Sequence, residues 1–398
     1  MARAVLGLNA GSSSLKFALF EIEGADAIGP MARGQIEGVG TSPHLIARDS
    51  AGAILTEQRW PDGAAMTHEA FFDVLFAWVE AHLDGDALAA VGHRVVHGGA
   101  AFVAPRLVDD AVLAKLDALS PLAPLHQPHN LAGIRAAQAV RPGLPQVACF
   151  DTAFHATQPA LATRLALPRE LEAGGVRRYG FHGLSYEYIA RRLRTLDPAM
   201  AAGRVIAAHL GNGASLCAMV DGVSIDTTMG FTAVDGLVMG TRCGTLDAGV
   251  ILYLVQALGY GAKQVENLIY RRSGLLGVSD LSSDMRVLTS SPLPAARDAV
   301  ELFVYRLGRE TGALASSLGG VDGFVFTAGI GEHAADIRAL ACARLAWLGL
   351  ELDSDANARH APVISTPTSR VKVRVTPTDE EAMTALHALA VVGSMPTR

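Results

Sequence analysis

LNAGSSSLKF (residues 8–17) and HLGNGAS (residues 209–215) decide the fold. In the first, a polar turn, Asn9-Ala10-Gly11-Ser12-Ser13-Ser14, separates the apolar run Val5–Leu8 from Leu15–Phe20, which is apolar except for Lys16. In the second, Gly211-Asn212-Gly213-Ala214-Ser215 separates Val205–Leu210 from Leu216–Val220. Each reads as strand, Gly/Asn/Ser turn, strand. Aligning Gly11 with Gly213 sets the copies 202 residues apart (213 minus 11), about half of the 398-residue chain. A hairpin at the head of each half points to an internal duplication, against the alternative of two hairpins alike by chance.

Outward from the hairpins, amphipathic stretches predict helices around 68–83, 107–118, 130–140, 183–195, 246–257 and 297–318. Strand-like runs lie between them, such as Gln146–Phe150 and Gly323–Thr327. Alternating strands and helices imply α/β layers, and the length implies two domains. The domain change is placed near 150, where Val147–Phe150 runs into Asp151-Thr152, and the last helix, from about 379, is expected to return to the first half. The expected domains are therefore 1–150 plus 380–398, and 151–379.

Half of the residues are hydrophobic, and 33 basic residues face 39 acidic ones, a net charge of −6. No basic run exceeds a pair, so the clustered positive footprint of nucleic-acid binding is missing. An anion must be met by individually placed arginines or lysines. Cys149, Cys217, Cys243 and Cys342 are scattered, which argues against a disulfide framework or structural zinc and for a reducing compartment. The N-terminal stretch has neither signal-peptide nor membrane-span character, so the expected location is cytoplasmic with no membrane partner.

Gly-rich turns present successive backbone N–H groups that cradle anions. Three occur: Asn9–Ser14, Gly211–Ser215, and Gly329-Ile330-Gly331, which follows the strand Gly323–Thr327 and is expected to precede a helix from His333 to about Leu345. No G-x-x-x-x-G-K-[ST] string exists, and no G-x-G-x-x-G opens a helix in the first βαβ unit. What remains is the two-hairpin phosphate clamp of actin, sugar kinases and heat-shock ATPases, with ATP in a cleft between two halves.

The chain closely resembles the acetate kinase family almost end to end, through GHRVVHGG (92–99), APLHQPHN (123–130), CFDTAFH (149–155), YGFHGLS (179–185), MGTRCG (239–244), SSDMR (282–286), TAGIGEH (327–333) and PTDEE (377–381), besides the two hairpins. The resemblance implies two duplicated actin-like (ribonuclease H-like) domains, ATP and acetate as substrates, Mg²⁺ or Mn²⁺, and a homodimer. It implies that Arg94 grips the carboxylate, Arg242 the transferring phosphoryl, and His182 and the supporting His126 donate to the phosphoryl oxygens. Guanidinium forks suit both anions. A carboxylate, with a pKa of about 4 to 5, is already ionised and needs no general base. Asp151, catalytic by resemblance, is therefore read as orienting an arginine or metal-bound waters, with a helix cap as the alternative. Asn9 and Glu380 are the implied metal positions, although Asp379-Glu380-Glu381 also suits an ordinary helix start.

Lys16, Ser12, Ser14, His209, Leu210, Gly211, Asn212, Gly213, Asp284, Met285, Arg286, Gly329, Ile330, Gly331, Glu332 and His333 are the implied nucleotide contacts, and Lys16 also reads as an edge-strand lysine. Val96, Leu125, Phe181 and Ala233 are the implied acyl contacts. His93, His97 and His129 sit near these motifs without the further ligands that zinc needs. The chain departs from the family pattern at Tyr186 (usually His), Thr245 and Ala248 (usually Asp and Pro), and Ala233 (usually Pro). These positions bear on substrate and rate. A propionate or other short-chain carboxylate kinase is the rival reading, and an actin-like nucleotide switch a remote one.

Overall fold

The computed structural model describes residues 2–83, 85 and 87–394, and absences stated below concern those residues. Residues 1, 84, 86 and 395–398, which the sequence reading assigned to the first domain, lie outside them. Two compact units divide the chain: Met1–Phe154 with Asp379–Arg398, and His155–Thr378.

The first unit is built on an eight-stranded sheet of β1 (Ala2–Ala10), β2 (Ser14–Ile22), β3 (Ile28–Glu37), β4 (His44–Asp49), β5 (Ile54–Arg59), β6 (Ala87–Val95), β7 (Arg106–Leu107) and β8 (Gln146–Phe150). Its spatial order is β5-β4-β3-β2-β1-β6-β8-β7. The second unit holds β9 (Arg204–Leu210), β10 (Ala214–Val220), β11 (Val223–Thr227), β12 (Gly323–Thr327) and β13 (Lys372–Val375), in the order β11-β10-β9-β12-β13. In both, an antiparallel three-strand meander continues through its first strand into two parallel strands. The order β3-β2-β1-β6-β8 is thus repeated by β11-β10-β9-β12-β13, so the duplication lies in the topology and not only in the turns. The last cross-strand partners are Ala10–Leu15 and Leu210–Ala214. Matching them gives offsets of 200 and 199, not 202, because the first turn is one residue longer.

One face of the first sheet is closed by helix His68–His82. Phe71, Phe72, Leu75, Phe76 and Val79 recur at helical spacing and pack on Leu6, Leu8, Phe17 and Leu19. Each such side chain contributes roughly 1.5–3 kcal/mol by leaving water. On β1, β6 and β8 lies the terminal helix Glu380–Gly393. A Cβ at Gly7 would run into the carbonyl oxygen of Glu381, and one at Gly92 into that of Thr384. These two glycines let the helix rest directly on the strands. Asp379 caps it, accepting from the Ala382 N–H at 2.9 Å.

Several boundaries differ from the sequence expectation. The stretch 107–118 begins as strand β7 and turns helical only at Asp110, where Asp109 caps the Val112 N–H at 2.7 Å. The helix expected from 130 starts at Gln127, and the one expected from 297 at Pro294, because proline is accommodated in a first turn. The helix expected from His333 is two helices, Ala328–His333 and Ala335–Arg344. Gly329-Ile330-Gly331 is therefore already helical and not a free turn; the chain bends at Ala328, which has φ +63°. No helix is long and apolar enough to cross a membrane.

Candidate active site

In the first unit, Arg94 leaves β6 beside Asp151, the residue after β8. Their strands are parallel neighbours, which brings together side chains 57 residues apart. Arg94 Nε donates to Asp151 Oδ1 at 3.0 Å and Nη2 to Oδ2 at 2.6 Å, a bidentate pair with Asp151 only 1% exposed. Nη1 donates to Asn9 Oδ1 at 3.3 Å, and Glu380 Oε2 stands 3.5 Å from Nε. Burial works against the guanidinium charge, but Asp151, then Glu380 and Glu381, outweigh it and raise its pKa above the usual arginine value. These three bonds leave two of the five arginine N–H donors for a further anion.

Two residues of the APLHQPHN motif, given no role by the sequence reading, hold this corner. Asn130 donates to the Ala10 carbonyl at 2.6 Å and accepts from Val96 N–H at 3.1 Å, tying the β1 turn to the end of β6. Gln127 accepts from His97 N–H at 3.1 Å and donates to His97 carbonyl at 3.0 Å. Buried amides bonded on both sides are costly to disturb, and since these partners lie 30 to 120 residues away no local signal in the sequence marks them. Val96 is buried, while Leu125 and His126 are half-buried in the turn that enters helix Gln127–Val140. Thr152 accepts from Gly98 N–H at 3.0 Å. His93 bonds Gln146, and His97 Nδ1 accepts from Gly99 N–H, so each has a polar partner other than a metal.

Lys16 is exposed and paired with Asn9 across the hairpin. The edge-strand reading fails, because β2 lies between β1 and β3. Ser12 is exposed and Ser14 half-buried in the same turn.

In the second unit, the Gly211–Gly213 turn is the centre. A Cβ on Gly213 would stand 2.6 Å from Arg242 Nη2 and 3.2 Å from His182 Nε2. Glycine here leaves room for both cationic or donor groups against the turn. Arg242 is anchored by Nη1 donating to Ala233 carbonyl at 2.6 Å, and its loop by Gly240 N–H donating to Asn212 carbonyl at 2.9 Å. His182 has left-handed backbone, φ +59°, just before helix Gly183–Leu196, and its ring stacks on His209 at 4.1 Å between centroids. His182 Nδ1 bonds Ser215 Oγ at 2.8 Å, and His209 Nδ1 bonds Ser185 Oγ at 2.8 Å. Phe181 is buried, its carbonyl 2.9 Å from His155 Nε2. Burial pushes the His155 pKa down to about 4.

A cleft of about 650 Å³ in this unit is lined by Gly211, Asn212, Asp284, Met285, Arg286 and Gly329, together with Ile330 and His333. Its size is that of a small-ligand site. Other predicted nucleotide contacts lie elsewhere. His209, Leu210 and Gly213 sit on or beside the hairpin strands, and Gly331 is buried against Phe326. Glu332 turns back on its own helix, accepting from the Ala328 N–H at 2.8 Å and the Thr378 N–H at 3.3 Å, because the chain is already helical there. Asp284 and Arg286 pair with each other at 2.6 Å at the rim.

Three departures from the family pattern acquire physical roles. Thr245 donates to Asp235 Oδ1 at 2.9 Å and accepts from Gly236 N–H at 3.2 Å. Ala248 occupies the first turn of helix Ala248–Gln256, where proline and alanine are both compatible. Tyr186 is buried, with its hydroxyl on Ser215.

Hairpin-led sheets repeated in both units define the duplicated actin-like α/β class. The family model described as "Acetokinase family" matches residues 4–386, so the chain belongs to that family. It is 53% identical over 393 residues to an acetate kinase of Rhodopseudomonas palustris, covering 97% of this chain and 98% of the relative. It is 50% identical over 402 residues to one of Methylocella silvestris, covering 99% of each. Among solved structures it is similar to a propionate kinase of Francisella tularensis, with TM-score 0.89, 36% identity and coverage of 98% and 99%. It is also similar to an acetate kinase of Porphyromonas gingivalis, with TM-score 0.83, 37% identity and coverage of 98% and 100%.

Proposed function

We propose that this chain is an enzyme that transfers the γ-phosphoryl group of ATP directly and reversibly to acetate, giving acetyl phosphate and ADP. The observation that carries this reading is the crowding of Arg242 Nη2 and His182 Nε2 against Gly213 in a phosphate-type turn. Phosphoryl transfer is limited by charge and alignment more than by covalent chemistry, and preorganised donors supply both. Arg94, locked by Asp151, would bind the acetate carboxylate through its remaining donors. Asp151 aims the arginine and takes no proton, since the nucleophile has none to give. His182 and Arg242 would meet the charge spreading over the transferring oxygens, with His126 in support. The cleft lined by Asn212, Asp284, Arg286 and Ile330 would seat the nucleoside, and Lys16 would reach phosphate.

Asn9 Oδ1 stands 3.3 Å from Arg94 Nη1 and Glu380 Oε2 3.5 Å from its Nε, so an amide and a carboxylate oxygen, both hard donors, border the same guanidinium. This fits Mg²⁺, or Mn²⁺, which binds few protein oxygens and keeps its waters. Such an ion would neutralise phosphate charge. We take the two compact units, Met1–Phe154 with Asp379–Arg398 and His155–Thr378, as the domains expected at 1–150 plus 380–398 and 151–379, and place the protein in the cytoplasm as a homodimer. The dimer reading is supported by helix Ala248–Gln256, which exposes Val250, Leu252, Tyr253 and Val255, with Leu258 beyond it.

Propionate is a second acceptor on one observation: Ala233 puts a methyl where a proline ring usually stands in the family pattern. One methylene changes discrimination by roughly 10- to 200-fold, so kcat/KM for propionate should lie within about tenfold of acetate. ADP formation with two- to four-carbon carboxylates tests both readings. No carboxylate-dependent ADP release removes the kinase, and more than hundredfold rejection of propionate removes the widened pocket.

A further inference from the structure

We propose that Tyr186 and Ser215 are positioning residues, forming a buried hydroxyl relay that fixes the proton of neutral His182 on Nε2. Tyr186 Oη lies 2.5 Å from Ser215 Oγ, which lies 2.8 Å from His182 Nδ1. Both Tyr186 and Ser215 are fully buried. A serine hydroxyl has one proton. When the tyrosine donates to Ser215, the serine proton goes to Nδ1, and the imidazole proton is left on Nε2.

Nε2 is the nitrogen at the Gly213 turn, close to where Arg242 Nη2 approaches. The relay therefore makes the second donor of that anion corner, and this significance rests on the phosphoryl-transfer reading above. With the relay reversed, a neutral imidazole would turn a lone pair on the anion. The ring is also held in place: His209 stacks on it with planes 16° apart and is itself held by Ser185. Ser185 and Tyr186 are adjacent in the first turn of helix Gly183–Leu196, so one turn of helix fixes both imidazoles. Tyr186 packs edge-on to His155 and His209, at 69° and 71°. A phenol, with a pKa of about 10, keeps its single proton throughout the neutral range.

The direct test is nitrogen NMR of the full chain with ¹⁵N-labelled histidine and no substrate, the His182 signal being identified by its loss in His182→Gln. The expected spectrum shows Nε2 protonated and Nδ1 bare. Tyr186→Phe keeps the ring and should give mixed tautomers. It should lower kcat roughly 10- to 100-fold while changing KM for ATP and acetate less than about threefold. Ser215→Ala should do the same, and the double variant should lose clearly less than the two single losses combined, because both act through the same bond to His182. Tyr186→His should recover part of the rate. Nδ1 protonated in the native protein, or full additivity of the two substitutions, overturns the relay. The native spectrum decides the matter even if a variant fails to fold or the chain proves not to transfer phosphoryl groups.

Discussion

Asp151→Asn keeps the size of a buried side chain and removes its charge. In the native protein both carboxylate oxygens hold Arg94, at 3.0 and 2.6 Å. The amide would keep one acceptor and turn an NH₂ group toward a guanidinium. Breaking one partner of a buried ion pair costs about 3–5 kcal/mol. Glu380, 3.5 Å from Arg94 Nε, remains and recovers part of this. A net loss of about 2–4 kcal/mol in unfolding free energy is expected, read by urea denaturation at pH 7. Arg94 would then lean toward Glu380, away from its aim at the substrate carboxylate. Initial rates with acetate and ATP varied separately should show the acetate KM raised roughly 10- to 100-fold, the ATP KM little changed, and the shape of the pH–rate profile preserved. A proton-transferring aspartate would instead lower kcat and remove a limb of that profile. Stability within about 0.5 kcal/mol of the native protein, or a kcat loss at unchanged acetate KM, refutes the orienting role.

Burial holds the pKa values of His93, His97 and His155 down at about 4, against 6.5 unfolded. The unfolded chain binds more protons between these values, so their stabilisation is complete above pH 6.5 and is lost as pH falls toward 4, about 2 kcal/mol per histidine at pH 5. Urea unfolding of His93→Asn should accordingly depend less on pH between 7 and 5 than that of the native protein; an equal slope removes His93 from the account. Gly92→Ala should destabilise the first unit by about 1–3 kcal/mol or more, since its Cβ meets the Thr384 carbonyl, and an unchanged denaturation midpoint would contradict that close packing. Glu380→Ala should raise the Mg²⁺ concentration needed for half-maximal rate, with partial rescue by excess metal. An unchanged metal titration would assign Glu380 to the helix start and to Arg94 alone.

Local features were legible because they repeat within a few residues. Alternation and Gly/Asn/Ser turns marked β1–β2 and β9–β10, and the i, i+3, i+4 spacing of Phe71, Phe72, Leu75 and Phe76 marked their helix. The residues later found at the two anion corners stood in runs such as GHRVVHGG and YGFHGLS, whose resemblance reached across the whole chain. Less legible were features set by a neighbour distant in sequence. Lys16 has the same local sequence on an edge strand or a central one, and only the strand order β3-β2-β1 separates them. Glu332 belongs to a motif that promised nucleotide contact, yet a helix beginning at Ala328 turned its carboxylate onto its own N-terminus.

The sequence by itself determined the two duplicated hairpins, the strands Gln146–Phe150 and Gly323–Thr327, the family and the inventory of arginines, histidines and carboxylates, because backbone period and turn chemistry are properties of neighbouring residues. Only the tertiary structure decided who meets whom. It placed Asp151 on Arg94, Asn130 between β1 and β6, Ser215 between Tyr186 and His182, and the terminal helix on Gly7 and Gly92. Those pairings depend on strand order and register over tens to hundreds of residues, which no local pattern encodes.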